Sequence, residues 1–373
     1  MKRILVVFFM GMLVLPQYVW GQASCTQVLR TAQDTYNSGR LHELPTILKK
    51  CLDTDGFSAQ EKVTAYKLLT QAYIYLEEPE LADQSMLNLL KTDAFFEINE
   101  AVDPAEFIAL YKKFRTKPVI GFVVKVGFNE TLAAPTKIFS VGNGSDGSGK
   151  FSPSLGIYFG GGIEKHIFAK KTDKLTFAPE FFVMSKAYKY TDPNVFIYAS
   201  GNPDATNIIN YSQSRVDFYP ILQFRVLDGK NPSDPTNRKK RKPNLFNTYI
   251  AIGPGISYLT KAQYANPIYN KLLATGGSDN GNAGATIDAT ESFTKFSYSV
   301  LAMAGIKFRI ATIYVTGDIR FQYGLSNAIN PAKRSNQEAL FDYAFQVPDQ
   351  KLHNVMISLG AIYPLFIPKK LIK

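Results

Sequence analysis

The spacing of apolar residues changes once along this chain. From Ser24 to about residue 116 they recur every three to four positions, the period of a helix with one buried face. Val28, Leu29, Ala32 and Tyr36 form one stripe, Gly39 interrupts it, and Leu41, Leu44, Leu48 and Cys51 form the next. Ser58 and Glu61 have the spacing of a capping box ahead of Tyr66, Leu69, Ala72, Tyr73 and Leu76. After Pro79 the stripe resumes with Leu81, Ala82, Met86, Leu89 and Leu90. A last helix is predicted from Asp103-Pro104, with Asp as N-cap and Pro at the first helical position, running to about Phe114.

Past Pro118 the period falls to two. Eight runs alternate: 120–128, 154–168, 175–189, 212–226, 247–259, 294–308, 312–323 and 352–366. In the first, Phe122, Val124, Val126 and Phe128 oppose Gly121, Lys125 and Gly127; in the seventh, Ile313, Val315, Ile319 and Phe321 oppose Asp318, Arg320 and Gln322. The polar faces carry charge of both signs at mid-strand: Lys125, Glu180, Lys186, Arg215, Asp217, Arg225, Lys307, Asp318 and Arg320.

A soluble sandwich and a membrane barrel both alternate, with opposite faces inward. Several runs are longer than an average soluble strand and match a tilted membrane span. The connections also differ in length: 169–174 and 309–311 are short, whereas 129–153, 190–211, 260–293 and 324–351 are long. That is the outer-membrane pattern, with a polar interior and lipid outside; the connection 227–246 breaks it. The predicted fold is α plus transmembrane β: a helical domain over 24–116, then an eight-stranded antiparallel outer-membrane β-barrel over 118–366. A basic tail, 367–373, would follow on the periplasmic side. Eight strands enclose side chains rather than a water channel, which argues against diffusive porin activity.

The chain start sets the expected compartment. Met1-Lys2-Arg3 is basic, Ile4 to Trp20 is almost wholly apolar, and Gly21-Gln22-Ala23 offers small residues for cleavage, so 1–23 reads as a signal peptide. A retained anchor would be marginally short, and Gln22-Ala23-Ser24 lacks the aliphatic residue expected before a lipidated Cys25. The formal charge of +11, which becomes +9 without Lys2 and Arg3, would suggest nucleic acid in a cytoplasmic protein; with export, no nucleic-acid partner is expected. An oxidising envelope gives the two cysteines a role. Cys25 opens the first helix and Cys51 closes the second, so an antiparallel hairpin would bring them together as a disulfide worth about 3 kcal/mol; two buried thiols are the alternative.

The run Ala32, Tyr36, Gly39, Leu41, Leu44, Leu48, Cys51 resembles a tetratricopeptide (TPR) helix pair, although Ala32 and Ala72 are 40 residues apart, longer than that repeat. The resemblance implies a surface that binds a protein segment. Residues 118–373 are similar to the PorT-like outer-membrane β-barrel family of Bacteroidota. The stretches that carry this are Lys125-Val126-Gly127-Phe128-Asn129, Leu175 to Tyr188 around Pro179-Glu180, Asp217-Phe218-Tyr219-Pro220-Ile221-Leu222 and Asp318-Ile319-Arg320-Phe321-Gln322-Tyr323-Gly324-Leu325. That family includes barrels tied to type IX secretion and gliding; the helical domain and 227–246 are additions to a minimal member.

Candidate chemistry is sparse. Acyl-chain chemistry needs a His beside a Ser and an orienting acid. His166 and His353 fall near predicted strand ends, with Ser292 and Ser297 as possible neighbours of His353, and His42 lies in the helical domain. The loop 277–292, from Gly277-Ser278-Asp279 to Asp288 and Glu291, has oxygen ligands for calcium without EF-hand spacing. Two Cys and three His leave no basis for a zinc or iron–sulfur site, and no cofactor is expected. Arg238, Lys239, Lys240, Arg241 and Lys242 form a patch for anionic lipid headgroups or an acidic partner, which the tail at Lys369, Lys370 and Lys373 could extend. The expectation is a non-enzymatic outer-membrane component with a protein partner for its helical domain. A lipid-modifying enzyme and a surface adhesin acting through its loops are the alternatives.

Overall fold

Eight long strands pair in sequence order and close on themselves. In the computed structural model, which describes residues 19–139, 149–167, 174–195, 205–229, 246–272, 278–279, 284–343 and 345–371, they are β1 (Ile120–Lys137), β2 (Lys150–His166), β3 (Leu175–Val195), β4 (Ala205–Gly229), β5 (Phe246–Leu272), β6 (Phe296–Ile310), β7 (Ile313–Gly324) and β8 (Asp349–Leu365). Each is antiparallel to its neighbours, and β1 pairs with β8 from Ile120↔Leu365 to Lys137↔Asp349, which closes the barrel.

The side-chain period then decides which residues meet the outside. Val124 and Leu359 are 68% and 66% exposed, while Lys125, Glu180, Asp217, Arg215 and Arg320 are at most 2% exposed. The apolar faces of all eight strands point out and the charges point in, the inverse of a soluble protein.

The strands are longer than hydrophobicity alone predicts. The expected end of the first at residue 128 becomes Lys137, because Asn129 and Thr131 continue the inward alternation as buried polar residues. The connection expected at 129–153 therefore shrinks to 138–149, and 190–211 to 196–204. The longest strands are β3, β4 and β5, of 21, 25 and 27 residues. Beyond the apolar belt, segments of the remaining loops fold inward: Ile287, Phe293, Ile329, Phe345 and Val347 bury against Tyr188, Tyr190, Tyr211 and Tyr264. The expected long loops are thus partly a cover over that mouth of the barrel. At the other rim, β6 turns into β7 through Ala311 in the left-handed region at φ +51°.

The second unit runs to Pro118 and takes up the chain again from Phe366. Its helices are α1 (Val19–Asn37), α2 (Leu44–Asp53), α3 (Ala59–Tyr75), α4 (Pro79–Thr92) and α5 (Ala105–Tyr111). The disulfide Cys25–Cys51 is present, with Cα atoms 5.8 Å apart, inside a cluster with Leu29, Leu44, Leu48, Phe57 and Leu69. Ser58 and Glu61 form the capping box, and Pro45 sits harmlessly in the first turn of α2.

Two expectations need correcting here. Asp103 does not cap the last helix: its carboxylate accepts from the Asn99 N–H at 2.7 Å and pairs with Lys67, so Pro104 becomes the N-cap and the helix stops at Tyr111. The tail is not a free basic extension either. Phe114 bridges to Lys370, the Arg115 N–H donates to the Lys369 carbonyl at 2.9 Å, and the Leu371 N–H to that of Lys113 at 2.8 Å. Lys370 pairs with Asp83, and Phe366 meets Phe95 edge-on at 4.7 Å. Residues 372–373 and the leader 1–18 lie outside the described residues.

Candidate functional site

The inward charges assemble into layers along the barrel interior. At the rim where β1 starts, Lys307 Nζ on β6 donates to both oxygens of Glu164 on β2, at 2.6 and 2.8 Å, and to Gln223 Oε1 at 3.0 Å. Glu164 was missed in the sequence because Gly160-Gly161-Gly162 blanks the alternation just before it; extending the period from Tyr158 would have placed it inside.

The central layer is a ring of two cations and two anions. Lys125 Nζ donates to Glu180 Oε1 at 2.7 Å and to Asp318 Oδ2 at 2.9 Å. Arg320 closes the ring, Nη1 to Glu180 Oε2 at 2.6 Å and Nε to Asp318 Oδ1 at 2.5 Å. Ser358 and Tyr249 hydroxyls donate to Asp318 at 2.6 and 3.1 Å. Local sequence makes room for this: Lys125 is flanked across the ladder by Gly160 on β2 and Gly360 on β8, and a Cβ on Gly360 would meet Lys125 Cγ at 2.5 Å. Buried charges are tolerable only when paired and hydrogen-bonded, and each ring member is both.

One layer further, Lys186 Nζ donates to Asp217 Oδ2 at 2.9 Å and Gln322 Oε1 at 3.2 Å. The Tyr219 hydroxyl donates to Asp217 Oδ2 at 2.6 Å, and the Ser257 hydroxyl donates to Oδ1. Arg215 forms no ion pair among the described residues; Nε donates to Gln213 Oε1 at 2.8 Å and Nη1 to Ser297 Oγ at 3.1 Å. Arg225, expected with the interior charges, is only half-buried at the rim. Between the layers Tyr158, Phe182, Met184, Tyr219, Leu301 and Met356 pack as one cluster. The cross-section at this level is filled by side chains, which suits a rigid wall rather than a conduit.

The barrel's two histidines lie at opposite ends of it. His166 Nδ1 meets the Thr176 hydroxyl at 2.9 Å at one rim. His353 is at the other end, where its Nδ1 accepts from the Gly324 N–H at 3.1 Å and its ring stacks on Tyr323 at 4.5 Å. The expected neighbours of His353 are elsewhere: Ser297 binds Arg215 on the inner side, and Ser292 is buried under the mouth cover. Of the calcium-candidate loop 277–292, residues 277 and 280–283 lie outside the described residues; Asp288 accepts from the Thr290 N–H at 2.8 Å and Glu291 pairs with Lys333 at 3.4 Å, so these two carboxylates are committed to separate partners. That turn holds the exposed Asp288 carboxyl below its ordinary range, chiefly through the bonds from Thr290. The patch Arg238, Lys239, Lys240, Arg241 and Lys242 lies outside the described residues.

No family model matches the chain, and no curated protein matches it. Among solved structures it is similar to the outer membrane protein OprG of Pseudomonas aeruginosa, at 12% identity and a TM-score of 0.30, over 67% of this chain and 98% of that one. It is also similar to the outer membrane protease OmpT of Escherichia coli, at 7% identity and a TM-score of 0.31, over 66% and 96%. A third is Ail, the attachment invasion locus protein of Yersinia pestis, at 9% identity and a TM-score of 0.24, over 66% and 99%. Overlaps this loose transfer no activity.

Proposed function

We propose that the chain is a non-enzymatic outer-membrane β-barrel whose helical unit docks a protein partner in the periplasm, within an envelope secretion or assembly complex. The observation that carries the membrane half is the inverted burial: a belt including Phe122, Val124, Val126, Ile157, Phe181, Ile252, Ile319 and Leu359 faces outward on a closed sheet. An apolar surface of that extent is far larger than the patches soluble monomers expose, and hydrocarbon is the solvent it suits. Both chain ends of the barrel lie on the rim with the short turn at Ala311, the side that faces the periplasm in such barrels.

The docking half is supported by the TPR-like spacing of the first two helices and by their cross-link at Cys25–Cys51, which keeps a binding surface ordered in the oxidising periplasm. The similarity of 118–373 to PorT-like barrels supports the secretion setting. Arg238 to Lys242 remain the candidate contact for anionic lipid or an acidic partner. The test is affinity purification of the full chain from solubilised membrane, beside a variant lacking residues 24–116. Loss of the same co-purifying proteins from the variant is expected; an unchanged set overturns docking. Recovery of the full chain from the detergent-free soluble fraction as a folded monomer overturns the membrane half.

One observation favours surface adhesion as a second reading: β3, β4 and β5 run well past the apolar belt and carry the covered mouth with them. Trypsin treatment of intact cells, followed by loss of cell attachment, is the outcome that reading expects.

A further inference from the structure

Proline inside a membrane-spanning strand removes a ladder donor where no water can replace it. Three such prolines stand abreast in the wall. Pro179 on β3 is paired with Pro220 on β4, and the register of β4 on β5 sets Pro220 opposite Pro254. The β4–β5 ladder runs to Phe218↔Ile256 and resumes at Leu222↔Ile252, and the pairs between are not made. The register is the same on both sides of the break, so this is not a bulge. A narrow antiparallel pair exchanges two N–H···O bonds, and here neither proline has an N–H to give. The span from Phe218 to Leu222, roughly 13 Å of wall, is thus left without a bond between β4 and β5. On its other side Pro179 faces Ile163, whose own N–H remains, so the β2–β3 ladder loses one donor there rather than two.

The break lies within the apolar belt, where Phe181, Leu222, Ile252 and Ile256 around it are exposed on the outer face. Inward, β5 offers only Gly253 and Gly255 beside Pro254. A Cβ on Gly255 would meet Tyr219 Cε1 at 2.6 Å, and one on Gly253 would meet the Pro220 carbonyl oxygen at 2.6 Å. The wall is therefore one backbone thick at this point, with the Tyr219 ring closing it from within. Behind it lies the apolar cluster: Ile221 and Leu301 flank Gly253, and Met184, Met303 and Met356 complete it. Methionine is unbranched and repacks readily around an inserted group. The ion-paired layers of Lys125 and Lys186 bound this apolar space along the barrel.

We propose that the Pro220–Pro254 break is a lateral port, where β4 and β5 part to admit one acyl chain of a bilayer lipid against the methionine cluster. A row of mid-strand prolines forfeits hydrogen bonds that hydrocarbon cannot replace, and prolines in sheets are otherwise kept to edges and bulges. Lateral access is the gain that a broken seam at this depth supplies: the medium outside is hydrocarbon and the lining inside is apolar. A headgroup has no way in past the ion-paired layers, so only the chain enters. This inference rests on the membrane half of the proposed function and needs no partner of the helical unit.

The test uses the full chain reconstituted in phosphatidylcholine vesicles doped with a phosphatidylcholine that carries a diazirine in its acyl chain. After illumination, mass spectrometry of the digested chain reads which residues carry lipid. Adducts are expected on outward Ile252 and also on inward Ile221, Leu301 and Met303. Pro220→Val with Pro254→Val returns both donors, and the two restored bonds are expected to cut the inward adducts about tenfold or more while Ile252 stays labelled. A second variant, Phe218→Cys with Ile256→Cys, places cysteines at paired positions, and its disulfide should close the seam with the same loss, reversed on reduction. Inward residues free of lipid while Ile252 is labelled overturn the port and leave the membrane reading intact. Inward labelling that the valines and the closed disulfide leave unchanged also overturns it. An unlabelled Ile252 overturns the membrane reading and the port together.

Discussion

Lys125 on β1 and Asp318 on β7 are 193 residues apart in the chain, yet Lys125 Nζ donates to Asp318 Oδ2 across 2.9 Å. That bond reaches past the one strand, β8, that lies between β1 and β7 in the sheet. With Glu180 and Arg320 it makes a four-charge ring that is neutral as a set. Such a ring costs desolvation to bury, so its integrity matters more than its net worth.

Removing one member should therefore be far worse than removing a balanced pair. Lys125→Met leaves two carboxylates facing one guanidinium and is expected to destabilise the barrel by about 3–5 kcal/mol. Lys125→Met with Glu180→Gln is expected to recover more than half of that loss. Urea titrations of the barrel folded in lipid vesicles measure both, and an additive double mutant would show that the ring is not a coupled unit.

Gly360 matters for the same ring. A Cβ there would meet Lys125 Cγ at 2.5 Å and the Val124 carbonyl oxygen at 2.5 Å. The lysine stem can shift but the strand backbone cannot, so Gly360→Ala is expected to cost about 1–3 kcal/mol by overpacking. Combining it with Lys125→Met should relieve little, because the backbone contact persists. Gly317→Ala, whose Cβ would meet Leu359 Cδ2 at 3.5 Å and the Ser358 carbonyl oxygen at 3.9 Å, both ordinary contacts, is the control expected to be tolerated.

The cysteines make an independent prediction for the helical unit. Reduction, or Cys25→Ser with Cys51→Ser, is expected to remove about 3 kcal/mol from that unit. Amide exchange in α1 and α2 should accelerate accordingly, while exchange in β1 to β8 stays unchanged. Mass spectrometry of the non-reduced chain should give two hydrogens fewer than the reduced form.

Acid should loosen the start of α3. The Glu61 carboxyl sits below the ordinary carboxylate range because the Thr26 hydroxyl donates to it at 2.6 Å and the Ser58 N–H and hydroxyl add to that. A folded-state value below the unfolded one stabilises the fold above the unfolded value of about 4.5, and that contribution disappears as the pH falls through the lowered folded value. Exchange protection in the first turn of α3 is thus expected to fall on acidification below about pH 4.5, and Glu61→Gln to remove this pH dependence. A variant that keeps the dependence would assign it to another carboxylate.

The sequence made the barrel legible because side-chain alternation survives wherever hydrophobic and charged residues trade places. Lys125, Glu180, Asp217, Asp318 and Arg320 could be placed inside on that basis alone. Which charge meets which could not, since pairing across the lumen depends on strand tilt and stagger that no single strand encodes. The strand ends beyond the belt were lost for a related reason: Asn129 and Thr131 alternate in position but not in hydrophobicity. Asp103 looked like a helix cap by spacing, yet Lys67, 36 residues earlier, claims its carboxylate. The aromatic mouth cover was hidden because Ile287, Phe293 and Phe345 are isolated apolar residues in stretches that read as polar loops.

The decisive prediction concerns the outward face. Val126 is 61% exposed, mid-strand, and paired with Leu359 and Phe159 on either side. If water bathed that face, Val126→Arg would change stability by no more than about 0.5 kcal/mol, as at any exposed site. If hydrocarbon does, the same substitution costs about 2–4 kcal/mol near the bilayer midplane. Glu130, four residues further along the same outward face and paired with Val355 and Leu155 nearer the edge of the belt, supplies the depth control: Glu130→Arg, one charge for another, is expected to cost about 0–1 kcal/mol. Urea titration of both variants folded in phosphatidylcholine vesicles reads the difference. Equal costs at the two positions would remove the bilayer from the account and, with it, the reason for so many apolar side chains to face outward.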